Sequence, residues 1–257
     1  MKVVILAGGL GTRISEDSHL RPKPMISIGD MPILWHIMKY YSHYGFNEFV
    51  ICCGYKAFVI KEYFASYYLH LSDVTFDFSC ENQMTIHNNT AENWKVTLVD
   101  TGLHTMTGGR IKRIRPYTNE EPFMMTYGDG VSDVDLNALL AFHRSHGKIL
   151  TLTAAGIKQR FGVLEIDDDG EIRAFREKSG HDGSQINAGF MVIEPGFFEY
   201  LKDDFTVLEK EPMEALAANG HLMAYQHDGF WQCMDTQRDR HLLEELWNEG
   251  QAPWKVW

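Results

Sequence analysis

Basic residues are in short supply. The chain carries 24 Lys and Arg against 35 Asp and Glu, a formal net charge of −11. Nucleic acid is held chiefly through Lys and Arg on its phosphates, so this balance argues against nucleic acid as a general partner. Cysteine is scarce too. Cys52, Cys53, Cys80 and Cys233 are the four, and no C-x-x-C pair occurs. That excludes the usual spacing of a structural zinc site. Reduced, buried thiols in a cytoplasmic protein are the plain reading. Adjacent Cys52 and Cys53 point to opposite sides of a strand, so they cannot chelate together. Long apolar runs are missing, and none approaches the about 18 residues of a membrane span. The chain enters an apolar run at Val3, so no leader peptide is expected. Repeats, low-complexity stretches and linkers are absent. One catalytic unit over residues 1–257 is expected, and 44% hydrophobic content is ample for its core.

Two common phosphate loops are also missing. The chain opens M-K-V-V-I-L-A-G-G-L-G-T-R. A dinucleotide fingerprint counted from Gly9 and Gly11 needs a third glycine where Ile14 stands, and a Walker A loop needs Gly-Lys where Thr12 and Arg13 follow Gly11. What is there is a continuous apolar run, Val3 to Leu6, that reads as a buried strand of a parallel sheet. Gly8, Gly9 and Gly11 lack side chains, so backbone N–H groups there can approach an anion closely. Arg13 adds a planar fork of donors that suits phosphate. The glycines alone are equally compatible with a bare turn. Pro22-Lys23-Pro24-Met25 changes the balance, because the prolines keep Lys23 out of a helix interior and on a stiff loop. An acidic protein that binds anions must gather its cations locally. Arg13, Lys23, Arg110, Lys112, Arg113, Arg160 and Lys178 all stand near glycine-containing turns.

The chain then alternates strand and helix. Pro32–Tyr44 reads as a helix with a proline start, Phe49–Cys53 as a strand and Ala57–Tyr68 as a helix, a rhythm that implies a parallel sheet with crossover helices. Val74–His87 reads as a small antiparallel excursion, and Val96–Val99 returns to the sheet. Thr107 reads as the N-cap of a helix. Phe123–Tyr127 is a strand ending in Gly128-Asp129-Gly130. Leu136–His146 is a helix whose His143 and His146 read as a solvated face. Ile149–Ala154 is a strand, and Gly162–Lys178 a hairpin around Asp168-Asp169-Gly170. Ile186–Ile193 and Leu222–Gln226 are strands, and Glu209–Ala218 is a helix. Trp231–Asp235 leads into a helix to about Asn248. Trp254 and Trp257 are costly to expose and should dock on the domain or a neighbouring subunit.

Ligands of open parallel sheets bind beyond the carboxyl ends of the strands. Asp129 and Asp235 both follow predicted strands there, and either suits a hard cation. Mg²⁺ takes one or two carboxylates plus phosphate oxygens and water. Asp129 alone could be a turn residue, and Asp235 alone could cap the helix after Thr236. Together with the glycine loop and Lys23 they suit transfer of a nucleotidyl group, where catalysis is alignment plus neutralisation of phosphate charge. A phosphate nucleophile needs no general base.

L-A-G-G-L-G-T-R at 6–13, P-K-P-M at 22–25, G-D-G at 128–130, E-K at 177–178, N-A-G-F at 187–190 and M-D-T at 234–236 resemble the sugar-1-phosphate nucleotidyltransferases. P-I-L-W-H-I-M-K, I-C-C-G-Y-K, V-T-L-V-D-T-G, M-T-G-G-R and A-P-W-K-V-W are most similar to the branch that uses CTP and glucose 1-phosphate. The resemblance implies a Rossmann-like α/β fold, with a mostly parallel central sheet flanked by helices and small antiparallel insertions. Residues 1 to about 130 would serve the nucleotide, and about 131–257 the sugar phosphate. It implies that Leu6, Ala7, Gly8 and Gly9 hold cytosine and ribose, and that Gly11, Thr12 and Arg13 hold the triphosphate. Lys23 would bind the α-phosphate and the sugar phosphate. Thr105, Arg110 and Gly128 would contact the nucleotide, Asp129 and Asp235 would hold Mg²⁺, and Glu177, Lys178 and Asn187 would hold the sugar phosphate. Arg13, Lys23 and Asp129 would be catalytic. The resemblance also implies a homo-oligomer that makes a nucleotide sugar for surface polysaccharide. Departures from the family pattern are Ser179 after Glu-Lys, Ala188 between Asn187 and Gly189, and Gln159 before Arg160, all on the sugar side. Another sugar 1-phosphate, another nucleotide, or a sensor that binds without turnover are the alternatives.

Overall fold

The computed structural model describes residues 1–11, 21–156, 163–166, 172–176 and 185–257. In chain order, β1 (Val3–Leu6) runs into the glycine loop, and a 3₁₀ turn at Lys23–Met25 precedes β2 (Ser27–Ile28) and β3 (Met31–Pro32). Then come α1 (Ile33–His43), β4 (Glu48–Cys53), α2 (Ala57–His70), β5 (Asp73–Asp77), β6 (Gln83–His87) and β7 (Lys95–Asp100). The next elements are α3 (Thr107–Arg113), α4 (Arg115–Thr118), β8 (Phe123–Tyr127), β9 (Gly130–Ser132), α5 (Leu136–His146) and β10 (Leu150–Gly156). After β11 (Val163–Ile166), β12 (Ile172–Arg176) and β13 (Gln185–Ile193) the chain closes with α6 (Glu211–Ala218), β14 (Leu222–His227), β15 (Trp231–Cys233) and α7 (Gln237–Asn248).

The main sheet has seven strands in the order β14-β10-β13-β8-β1-β4-β7. β1 pairs parallel with β4 and β8, and β4 with β7. Only β13 runs against its neighbours, β8 and β10. This is the mostly parallel α/β sheet the sequence implies, with small antiparallel pairs beside it. Continuous apolar runs mark strands buried on both faces. Val3 and Ile5 face one core with Ile33, Ile37 and Leu243, while Val4 and Leu6 face the other with Ile111, Phe197 and Leu216. Each such aliphatic side chain contributes about 1.5–3 kcal/mol when withdrawn from water. Cys53 and Cys52 divide between the same two cores, as strand alternation requires.

Register explains the position of the site. Leu6 lies opposite Cys52 on one side and Tyr127 on the other. The loops after β1, β4 and β8 therefore emerge side by side. Because β13 is antiparallel, with Met191 opposite Met125, its beginning carries Asn187 toward the same edge. β15 pairs antiparallel with β9, Cys233 opposite Gly130, and Met234 N–H donates to Asp129 C=O at 2.8 Å. That ladder brings Asp235 beside Asp129 across 106 residues of sequence.

Three local readings are corrected. Thr107 is the first residue of α3 rather than its cap, and Met106 holds the N-cap position. The Thr107 hydroxyl is engaged instead with Glu209 and the Leu208 N–H. The cap of α7 is Thr236, in a capping box with Asp239, and not Asp235. His143 is not on a solvated face: it is 3% exposed, meets Thr151 through Nδ1 and has an acidic partner, Glu194, at 3.2 Å. β11 and β12 pair as the predicted hairpin, while its turn at 167–170 lies outside the described residues. Trp254 docks on this same chain, fully buried and stacked on Phe230 and Trp247. No described helix is long and apolar enough to cross a membrane.

Candidate active site

A cavity of about 430 Å³ opens at the carboxyl edge of β1 and β8. Leu6, Ala7, Gly8, Gly9 and Gly11 form one side. Lys23, Gly128 and Asp129 also line it, as do Thr105 just before α3 and Arg110 within it. Ten residues named from the sequence thus meet in one place. Thr12, Arg13, Glu177 and Lys178 lie outside the described residues. Asn187 stands nearby on β13, where its side-chain oxygen accepts from the Gly189 N–H at 2.9 Å.

The glycines serve different purposes. A Cβ on Gly8 would lie 2.1 Å from the Arg110 guanidinium, and one on Gly54 would lie 2.5 Å from it. Gly8 is therefore glycine to admit Arg110. A Cβ on Gly9 would meet nothing within 4 Å, so its backbone stands open. Gly11 has φ of +64°, in the left-handed region that glycine adopts freely. A Cβ on Gly128 would lie 2.9 Å from Leu6 C=O and 3.0 Å from Pro24, so this turn sits flush against the loop of Lys23.

Arg110 is 5% exposed and hydrogen-bonds to neutral oxygens. Its Nη1 donates to Thr101 Oγ1 at 2.7 Å, Gly102 C=O at 2.8 Å and Cys53 C=O at 3.3 Å. Its Nη2 donates to Gly8 C=O at 3.0 Å and Leu103 C=O at 3.3 Å. One side chain thereby fastens the glycine loop to the ends of β4 and β7. Burial pushes the guanidinium below its ordinary value, yet arginine stays charged. The result is a fixed positive charge beside the cavity.

Lys23 starts the 3₁₀ turn after Pro22, and its side chain is 12% exposed. Nζ donates to Asp129 Oδ2 and to Asp235 Oδ1, both at 2.5 Å. Burial alone would lower the ammonium, but Asp129 and then Asp235 outweigh it and hold it above its usual range. Two carboxylates thus converge on one cation. Their chemistry fits Mg²⁺, which uses one or two protein carboxylates and completes its shell with phosphate and water. No third His, Cys, Asp or Glu joins them among the described residues.

Two lining residues have no local signal in the sequence. Tyr127 reads as the last apolar residue of a strand, and Glu209 as the start of a helix. The Tyr127 hydroxyl donates to Glu209 at 2.5 Å, and the Thr107 hydroxyl donates to the same carboxylate at 2.8 Å. Burial, then the nearby Glu209 charge, pushes the Tyr127 phenol upward, so it stays a donor.

Comparison with known proteins shows the family of the chain. The profile of the nucleotidyl transferase family matches residues 2–237. The chain is 55% identical to the glucose-1-phosphate cytidylyltransferase of Salmonella typhi, over 100% of both chains. It is 44% identical to the probable glucose-1-phosphate cytidylyltransferase of Bacillus subtilis, again over 100% of both. The crystal structure of HddC from Yersinia pseudotuberculosis superposes with a TM-score of 0.69 at 25% identity, covering 96% of this chain and 99% of that one.

Proposed function

The chain belongs to the nucleotidyl transferase family, and we propose that it transfers the cytidylyl group of CTP to α-D-glucose 1-phosphate, giving CDP-glucose and pyrophosphate. Full-length identity of 55% to the Salmonella typhi enzyme carries the choice of substrates. The cavity is consistent with it, since it joins an open glycine backbone, a buried arginine, a lysine and two carboxylates at one sheet edge.

A phosphate oxygen of glucose 1-phosphate attacks the α-phosphorus of CTP, and the bond to the pyrophosphate bridging oxygen breaks in line. The nucleophile is already ionised, so no side chain need remove a proton. The chain's task is alignment and charge neutralisation. Leu6–Gly9 hold the base and ribose, Thr105, Arg110 and Gly128 wall the nucleotide, and Gly11, Thr12 and Arg13 bind the triphosphate. Asp129 and Asp235 would hold Mg²⁺, which would supply neutralisation of phosphate charge. Lys23, which pairs with those carboxylates, offers its ammonium to the α-phosphate and the sugar phosphate. Glu177, Lys178 and Asn187 receive the sugar phosphate. Residues to about 130 serve the nucleotide and the remainder the sugar. The four thiols are free, which supports a cytoplasmic setting. Phe76 and Phe78, 53% and 80% exposed on and beside the β5–β6 hairpin, support a homo-oligomer.

Pyrophosphate release with each of four nucleoside triphosphates, against a panel of sugar 1-phosphates, tests the reading. CTP with glucose 1-phosphate should be fastest. Preference for UTP or dTTP would overturn the cytidylyl assignment, and preference for another sugar would overturn only the glucose part. Asp129→Asn and Asp235→Asn should each abolish turnover and leave the fold intact. Near wild-type rates in either would remove that residue from the metal site.

A further inference from the structure

The cavity receives two polyanions, and most of its polar lining suits them. Glycine-loop N–H groups, Lys23 and Arg110 are donors or cations, and Asp129 is already paired with Lys23. Glu209 is the exception. It lines the same cavity, and no salt bridge joins it to a cation among the described residues. Left to itself, a carboxylate there would repel the phosphates.

Its surroundings assign it another task. The Tyr127 hydroxyl donates to Oε1 and the Thr107 hydroxyl to Oε2. Both contacts fix the orientation of the carboxylate. An ionised carboxylate offers about four acceptor positions, so about two remain for a ligand. The donors that neutral parts of the substrates bring are mainly sugar hydroxyls. Tyr127 identifies which sugar. Its ring packs on Gly189 of β13, where an added Cβ would lie 2.4 Å away. Asn187 stands two residues before that glycine on the same strand, its side-chain oxygen accepting from the Gly189 N–H. In the sheet that strand borders β8 on the side away from β1 and its glycine loop. The glycine loop holds the nucleotide, so Glu209 belongs to the acceptor side.

We propose that Glu209 is a specificity-determining residue that accepts hydrogen bonds from ring hydroxyls of the hexose 1-phosphate, with Tyr127 and Thr107 fixing its orientation. This rests on the cytidylyl transfer to a hexose 1-phosphate proposed above.

The test is steady-state kinetics of wild type, Glu209→Gln and Glu209→Ala, with a thermal melt of each to establish folding. Substrates are glucose 1-phosphate and its 2-, 3- and 4-deoxy analogues with CTP, and 2′-deoxy-CTP with glucose 1-phosphate. A hydrogen bond to a charged group predicts a KM for glucose 1-phosphate raised about 10- to 100-fold in Glu209→Gln, with KM for CTP within about twofold. One deoxy sugar, penalised in wild type, should suffer no further loss in the variant. If every deoxy penalty persists unchanged in the variant, Glu209 does not read the hexose and the proposal falls. If only the 2′-deoxy-CTP penalty disappears, the carboxylate faces the ribose and the proposal also falls. Wild type that forms no pyrophosphate from CTP and glucose 1-phosphate would instead overturn the underlying reading.

Discussion

Lys23 bridges the two aspartates proposed to hold Mg²⁺, and replacing it exposes what they require. In Lys23→Met the apolar stem is kept and the ammonium is lost. Asp129 Oδ2 and Asp235 Oδ1 each lie 2.5 Å from Nζ, so the two oxygens are at most twice that distance apart. Their side chains are 28% and 26% exposed, which screens them only partly. Two like charges about 5 Å apart repel by about 3 kcal/mol at an effective dielectric of about 20, and by about 1 kcal/mol in bulk water. Lys23→Met should therefore be about 1–3 kcal/mol less stable than wild type at pH 7 and low salt. A divalent cation should reverse the loss, because it binds between the freed carboxylates in the folded state only. At a concentration ten times its Kd, such a ligand stabilises by about 1.4 kcal/mol. The assay is urea unfolding of both proteins, with and without MgCl₂ and without nucleotide. Mg²⁺ should stabilise the variant more than wild type, in which the ammonium competes for the same place. Equal stabilisation of both, or a variant as stable as wild type, would falsify the claim that Lys23 occupies the cation position. The sign with pH is fixed as well. Lys23 has a raised folded value, so its contribution is complete below about pH 10.5 and disappears as pH climbs through that higher value.

Two other expectations follow from the packing. Gly8→Ala must displace Arg110, whose guanidinium would lie 2.1 Å from the new methyl, whereas Gly9→Ala meets nothing within 4 Å. Gly8→Ala should lower the melting temperature and weaken CTP binding together. Gly9→Ala should melt like wild type and raise KM for CTP alone, and equal melting losses in both would refute the distinction. His36 is fully buried, with Nε2 against Ile28 C=O and Nδ1 accepting from Trp254. Burial lowers its folded value to about 4 from 6.5. A depressed value gives stability that is complete above pH 6.5 and lost toward pH 4, about 3 kcal/mol in all. Unfolding free energy and tryptophan emission should both change over that window. In His36→Gln this part of the pH dependence should vanish, and an unchanged profile would refute it.

The strands of the site were legible because burial on both faces writes itself as a continuous apolar run. Val3–Leu6, Phe49–Cys53 and Phe123–Tyr127 all carry that pattern, and their carboxyl ends carry Gly8, Gly54 and Asp129. Asp129 could be named because it follows such a strand, and Asp235 because it follows the short predicted strand that starts at Trp231. Their meeting was not legible, since it depends on the β9–β15 register. His143 was misread for a related reason. Its helix face looks polar, and Glu194 stands 51 residues away.

Arg110 shows that a residue named from a motif can have a second physical cause in the fold. Read alone, Gly8 is a glycine so that phosphate can approach the backbone. In the fold the close neighbour of its Cα is a guanidinium that arrives from 102 residues further along. Gly54, within the I-C-C-G-Y-K stretch, is glycine for the same arginine. The loop is therefore braced before any nucleotide arrives. Arg110 holds Gly8 C=O, and the same side chain holds Cys53 C=O and Gly102 C=O on the neighbouring strand ends. An arginine so engaged brings charge to the cavity wall without a free side chain to reorganise. That is the form of electrostatic stabilisation that costs least at the moment of reaction. Lysine at 110 would keep the charge and lose the planar fork that reaches several carbonyls at once.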